Sequence, residues 1–258
     1  MTSQPQKSQL ENKGIAITRP IDQAQKLTEM IVAQGGVPIS FPLVKITVLH
    51  DYSAFNQTIE LLNTFNWAIF ISSNAVQNAI PRIIKHFGCI PRNLKFAAIG
   101  PVTALELTKF GVDYVLTPEG RFDSEAFLAT HEMQAVDGQK IIIFRGEGGR
   151  ELLANSLSAR GAKIVFAESY QRTNPQSNCL LVEKFWEKNQ LHAIVITSSE
   201  AMRYLLKMAS NADWLKHIFI CVNHARVAEP ALALGLKVKV AEAQGDAAML
   251  DLLKKTLA

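Results

Sequence analysis

Residues 67–79 read WAIFISSNAVQNA. Five apolar residues form a strand-like run, Ser72-Ser73-Asn74 interrupts it, and apolar residues then return at helical spacing. The β-favouring run predicts a buried strand, and short hydroxyl and amide side chains are the residue types that start helices. Residues 193–202, AIVITSSEAM, repeat the design. Their serines, Ser198-Ser199, follow Ser72-Ser73 by 126 residues.

The same spacing recurs elsewhere. Arg19 follows the strand-like GIAIT (14–18), and Arg145, 126 residues later, follows KIIIF (140–144). Gly35 and Gly161, again 126 apart, close the helices behind those arginines. FAAIGPVTALELTKFG and GVDYVLTPEGRFDSEAFL are matched more loosely by IFICVNHARVAEPALALG and GLKVKVAEAQGDAAML. The chain therefore reads as two copies of one α/β half. Short apolar strands alternating with amphipathic helices, with glycine at the exits, predict parallel sheets built from βαβ units. Asp123-Ser124-Glu125 is expected to start a helix, and Pro81 to mark a turn or kink. Residues 37–48 and 163–174 occupy equivalent places and read as extended crossing segments rather than interior strands.

The 258 residues suit two domains, and 48% apolar content is enough for two cores. A net charge of +4 without Lys/Arg clustering argues against a nucleic-acid partner. Three scattered cysteines lack C-x-x-C spacing and the histidines lack H-x-x-x-H spacing, which predicts a reducing compartment and no metal site. Residues 1–13 are polar and read as a solvated tail. No run approaches the ~18 apolar residues of a membrane helix. A soluble, cytoplasmic monomer without a membrane partner is expected.

Ligands of open parallel sheets sit beyond the carboxyl ends of the strands, where helix N-termini favour anions. The sequence places Thr18-Arg19, Ser72-Ser73-Asn74, Gly100 to Thr103, Arg145-Gly146 and Thr197-Ser198-Ser199 there. These residues would suit carboxylates or phosphates, and the serines would also serve as plain helix caps. RGEGGRE (145–151) with Glu168 about twenty residues on invites a dinucleotide reading. Glu151 stands where the third glycine belongs, and the paired ITRP loop has no glycine, so that reading is weak. Tyr114 and Tyr204 read as core. Tyr170 lies in a crossing segment, where packing and catalysis are both open to it.

Taken in order, ITRP, FISSNAV, AAIGPVTALEL, GVDYVLTPEGRFDSEAFLA, RGEGGRELLANSLSARGAKI, ESYQRTNP and ITSSEAM resemble the uroporphyrinogen-III synthase family from about residue 14 to 250. The resemblance implies two doubly wound parallel-sheet lobes, flavodoxin- or Rossmann-like, joined by a two-stranded antiparallel linker. The implied lobes are interleaved: 1–40 with 173–258, and 46–166, with 41–45 and 167–172 as the linker strands. The implied reaction cyclises and dehydrates hydroxymethylbilane, a linear tetrapyrrole polycarboxylate, to uroporphyrinogen III with inversion of ring D. It needs no metal or other cofactor. Carried over position by position, Tyr170 is the catalytic residue. Thr18, Arg19, Ser72, Ser73, Asn74, Ala75, Gly100, Thr103, Arg145, Gly146, Thr197, Ser198 and Ala201 match substrate-binding, cleft-facing positions. The second IG-x-x-T-A block departs from the family as CVNHARVA, with Asn223 in place of glycine and His224 expected to be solvated. A two-lobed binding protein for an anionic ligand, or a silent relative of the synthases, remains the alternative.

Overall fold

A computed structural model describes residues 8–91, 93–149, 151–210 and 212–257. The chain divides into two compact units. Unit 1 comprises residues 1–45 and 173–258, and unit 2 comprises 46–172.

Unit 1 holds a five-stranded sheet of β1 (Gly14–Ile17), β2 (Val37–Ser40), β9 (Ala193–Ile196), β10 (Phe219–Val222) and β11 (Val238–Val240). Its order is β11-β10-β9-β1-β2, and all four neighbouring pairs are parallel. Parallel sheets must be covered on both faces, and side chains alternate between them. Ala16, Ile194, Ile196, Ile220 and Val222 accordingly pack on one face. This face is covered by α8 (Leu180–Glu187), α9 (Ser199–Met208) and α10 (Ala225–Ala233). Ile15, Ile17, Ala193, Val195 and Cys221 pack on the other, beneath α1 (Ile21–Ala33) and α11 (Asp246–Leu257).

Unit 2 holds a six-stranded sheet. Its strands are β3 (Lys45–Thr47), β4 (Trp67–Phe70), β5 (Lys95–Ala98), β6 (Val115–Leu116), β7 (Lys140–Gly146) and β8 (Lys163–Thr173), in the order β3-β8-β7-β4-β5-β6. One face packs under α2 (Ser53–Glu60), α3 (Ser73–Phe87) and α4 (Pro101–Lys109). The other packs under α5 (Ser124–Leu128), α6 (His131–Gln134) and α7 (Leu152–Ala159).

The sequence repeat reappears as register. Ile15 stands opposite Ala193 where β1 meets β9, and Ile141 opposite Trp67 where β7 meets β4. Gly14 stands opposite Val37, and Lys140 opposite Lys163. Every number in one set is 126 from its counterpart. Each unit thus takes the front βαβ of one copy and the back half of the other. Gly35 and Gly161 both adopt positive φ, 76° and 87°, a conformation that glycine reaches without a Cβ penalty.

Several local expectations change. Pro81 does not end its helix, because α3 continues through it with Val76, Ala79, Ile80 and Ile83 buried. Tyr114 is not core but 70% exposed. The segment 163–174 is largely β8, which lies inside the sheet between β7 and β3. Of residues 1–13, the described part is no solvated tail: Leu10 is fully buried against Ile31 and Leu27, and its N–H donates to Gln34 C=O at 3.1 Å. Residues 1–7 lie outside the described residues. Asp123 caps α5 as expected, accepting the Ala126 N–H at 2.8 Å.

Candidate functional site

In both sheets the winding direction reverses between two adjacent central strands, β1 and β9 in unit 1 and β7 and β4 in unit 2. Such a switch point opens a crevice at the strand ends.

In unit 1 the switch point is bridged by hydrogen bonds. Thr18, 1% exposed, donates its hydroxyl to Val195 C=O at 2.8 Å. Arg19 Nε donates to Thr197 Oγ1 at 3.2 Å, while Nη1 pairs with Asp246 at the start of α11. Ser198 caps α9 by accepting the Ala201 N–H at 3.1 Å. Glu200 follows in the first turn of α9, so this helix start already carries a negative charge of its own. Ala201 is buried beneath the cap.

Unit 2 gathers a different set. Ser72 caps α3 by accepting the Ala75 N–H at 3.2 Å. Ser73 and Asn74 are half-buried in the first turn, with Ala75 buried beneath. The position equivalent to Glu200 is the neutral Asn74, which leaves the positive helix end unopposed. The Ser72 hydroxyl lies 3.1 Å from the Tyr170 hydroxyl, and Arg172 Nη2 donates to the same phenol oxygen at 2.9 Å. Tyr170 is fully buried. Gly146, the last residue of β7, stands opposite Tyr170 across a bulge. A β-carbon on it would meet the tyrosine ring at 2.6 Å.

Arg145 does not join this group. The expectation placed it after the strand, but β7 runs on through Gly146. Alternation then turns Arg145 to the opposite face from Phe144, the face of Ile141 and Ile143. There its guanidinium stacks over Phe166 at 4.0 Å and pairs with Glu168 at 3.3 Å. The side chain is 6% exposed, and among the described residues Nε and Nη1 have no hydrogen-bond partner. Glu168 also accepts the Gly148 N–H at 3.1 Å, so the acid of the dinucleotide reading is already engaged by its own loop. Gly100 and Thr103 lie one strand further out. Gly100 caps α4, and its carbonyl accepts the Thr103 N–H at 3.1 Å.

Two neighbours of these residues, Arg172 and Asp246, were missed in the sequence, and a third, Glu168, was read in another role. Arg172 was legible, since residues two apart on a strand share a face. Asp246 had no such signal, because its partner Arg19 is distant in the chain, and Glu168, noted only as a ribose acid, stands directly opposite Arg145 in the β7–β8 register. His224 is exposed and caps α10 through Nδ1, accepting the Arg226 N–H at 3.1 Å. Asn223 Oδ1 is buried without a partner. A hollow of about 980 Å3 opens at the other end of the unit 2 strands, around Trp67, Lys95 and Phe110, and none of the candidate residues lines it. Among the described residues no cluster of His, Cys, Asp and Glu is arranged to hold a metal ion.

Two doubly wound sheets with hydroxyl side chains at their switch points define a protein of the α/β class, a class in which ligands are commonly received at strand ends. The family model described as uroporphyrinogen-III synthase HemD matches residues 25–251. The uroporphyrinogen-III synthase of Escherichia coli K12 is 30% identical over 245 residues, spanning 93% of this chain and 100% of that one. The uroporphyrinogen-III synthase of Salmonella typhimurium is 31% identical over 246 residues, with 93% and 100% spanned. In fold, the chain is similar to a crystal structure of mutant uroporphyrinogen III synthase from Thermus thermophilus. The TM-score is 0.64 at 15% identity, covering 95% of this chain and 98% of that one. The chain belongs to the uroporphyrinogen-III synthase family, whose members are lyases of tetrapyrrole biosynthesis.

Proposed function

We propose that this protein cyclises hydroxymethylbilane to uroporphyrinogen III, with loss of water and inversion of ring D. The observation that carries this reading is the match to full-length synthases along 93% of the chain. The chemistry is intrinsic to the substrate. A pyrrole nitrogen supplies the electron pair that expels the terminal hydroxyl, giving an azafulvene that ring D attacks through a spiro intermediate. Unassisted closure gives the unrearranged isomer. The protein's main contribution is therefore to hold a flexible tetrapyrrole so that the rearranging carbon attacks first. Proton delivery to the departing hydroxyl is the second contribution. No electron or group is carried, so the reaction calls for no cofactor.

In this reading Tyr170 supplies the proton. Ser72, Ser73, Asn74, Ala75, Gly100, Thr103, Arg145 and Gly146 of unit 2 bind substrate, as do Thr18, Arg19, Thr197, Ser198 and Ala201 of unit 1. Residues 41–45 and 167–172 serve as the linker. The helix start at Asn74 favours unit 2 as the stronger carboxylate grip. A cytoplasmic monomer is the form proposed. No helix among the described residues is long and apolar enough to cross a membrane. Porphobilinogen and porphobilinogen deaminase, supplied together with this protein and followed by oxidation and isomer separation, test the activity. Isomer III is the expected product. Isomer I alone would leave a binding protein or a silent relative as the better reading.

A further inference from the structure

The Tyr170 hydroxyl has an ordered set of neighbours. Arg172 Nη2 donates to the phenol oxygen at 2.9 Å, and an arginine N–H can only donate. One lone pair of the phenol is thereby used. Tyr170 is wholly buried, and the acceptor found within reach of its proton among the described residues is Ser72 Oγ at 3.1 Å. A buried donor left unpaired is costly, so the phenol proton points to Ser72. Ser72 Oγ also accepts the Ala75 N–H. Both of its lone pairs are then occupied and its own proton is directed outward. Ser72 is half-buried, so its proton can meet a bound molecule, whereas that of Tyr170 cannot.

We propose that Ser72 is the catalytic hydroxyl that touches the departing oxygen, and that Tyr170 and Arg172 act through it as a proton relay. This rests on the reading of Tyr170 as the proton source. As the pyrrole nitrogen's electron pair expels the hydroxyl and the C–O bond breaks, the Ser72 proton passes to the leaving oxygen and water forms. The Tyr170 proton moves to Ser72 Oγ, and the resulting phenolate faces the Arg172 guanidinium. The proton shed when the ring regains aromaticity returns by the same path. Among the described residues the repeat offers no counterpart. Val44 and Ile46 stand 126 residues before Tyr170 and Arg172, and the Ser198 hydroxyl is engaged in the capping bond.

The test uses Ser72→Asn, which keeps a capping side chain but has no hydroxyl, together with Ser72→Thr, Tyr170→Phe and the Ser72→Asn/Tyr170→Phe double variant. The relay predicts that Ser72→Asn and Tyr170→Phe each lower kcat by roughly 100-fold. The double variant should be no slower than either, and Ser72→Thr should recover most of the rate. A solvent isotope effect in wild type should curve with deuterium fraction, as two moving protons require, and this curvature should vanish in Ser72→Asn. Slow Tyr170→Phe beside normal Ser72→Asn would overturn the relay and leave the role of Tyr170 standing, as would losses that multiply in the double variant. Normal turnover in Tyr170→Phe would overturn the role of Tyr170 itself.

Discussion

Gly146 and Tyr170 fit together because one of them has no side chain: a β-carbon on Gly146 would lie 2.6 Å from Cε2 and 2.7 Å from Cζ of the tyrosine ring. The ring is fully buried, so it has nowhere to retreat. Gly146→Ala should therefore cost about 1–3 kcal/mol of stability, the range for overpacking a closed core. It should also pull the phenol away from Ser72. Urea denaturation together with the coupled isomer assay measures both effects. Full activity and stability in this variant would mean that the ring is free to move.

Arg145 should behave in the opposite way. Two of its guanidinium nitrogens are buried without partners among the described residues, and its ion pair with the half-exposed Glu168 spans 3.3 Å. Replacing such a buried charge with an apolar group of similar size is commonly neutral or stabilising. Arg145→Met is expected to hold or raise the unfolding midpoint while raising KM for hydroxymethylbilane about tenfold or more, the worth of one charge-assisted contact. Arg145→Lys should not restore KM, because an ammonium neither stacks on Phe166 as a plane nor forks to a carboxylate. A loss of stability without a change in KM would make Arg145 a packing residue.

His192 sets an acid limit on unit 1. Burial holds its imidazole below the ordinary value of 6.5, with Lys13 adding a smaller push in the same direction. Its Nδ1 accepts the Gly14 N–H at 3.1 Å, which requires the neutral ring. Below pH 6.5 the unfolded chain binds this proton more readily than the folded one, so stability falls with pH across that window. His192→Asn, which can keep an acceptor but does not titrate, should flatten the decline. The urea midpoint followed from pH 7.5 to 5 checks this, and equal slopes in the two proteins would rule it out.

Leu10 tests where unit 1 begins. Its side chain is fully buried in the core formed with Ile15, Leu27 and Ile31. Leu10→Ala should cost about 2–5 kcal/mol, as expected for a cavity at a close-packed site. A shift no larger than that of an exposed leucine would return residues 8–13 to the status of a tail.

The repeat was legible because hydroxyls, arginines and glycines recur at one spacing, and that spacing became an identical strand register. Leu10 was not legible: a lone leucine among polar residues has no periodicity, and only the tertiary fold shows that Ile31 and Leu27 cover it. Tyr114 failed in the other direction, since a two-residue strand such as β6 at the sheet edge buries little of what precedes it. At the site, Ser72 and Tyr170 were visible singly, but a bond between residues 98 apart leaves no trace in one sequence. Arg145 was placed with them because its strand looked two residues shorter than it is. Inside the strand, alternation turns it to the face opposite Phe144.

The division of the chain also fixes an order of synthesis. Residues 46–172 form unit 2 without interruption, whereas unit 1 needs residues 1–45 together with 173–258. At about 5–20 residues per second, β1 waits roughly 9–36 s on the ribosome before its neighbour β9 begins to appear. During that interval the apolar GIAI strand lacks β9 and α11, with which it packs in the folded unit. Nascent chains arrested within the C-terminal stretch and probed with protease should show 46–172 protected while 1–45 is still cut. Of the two units, the one whose first strand is made earlier is the one completed later.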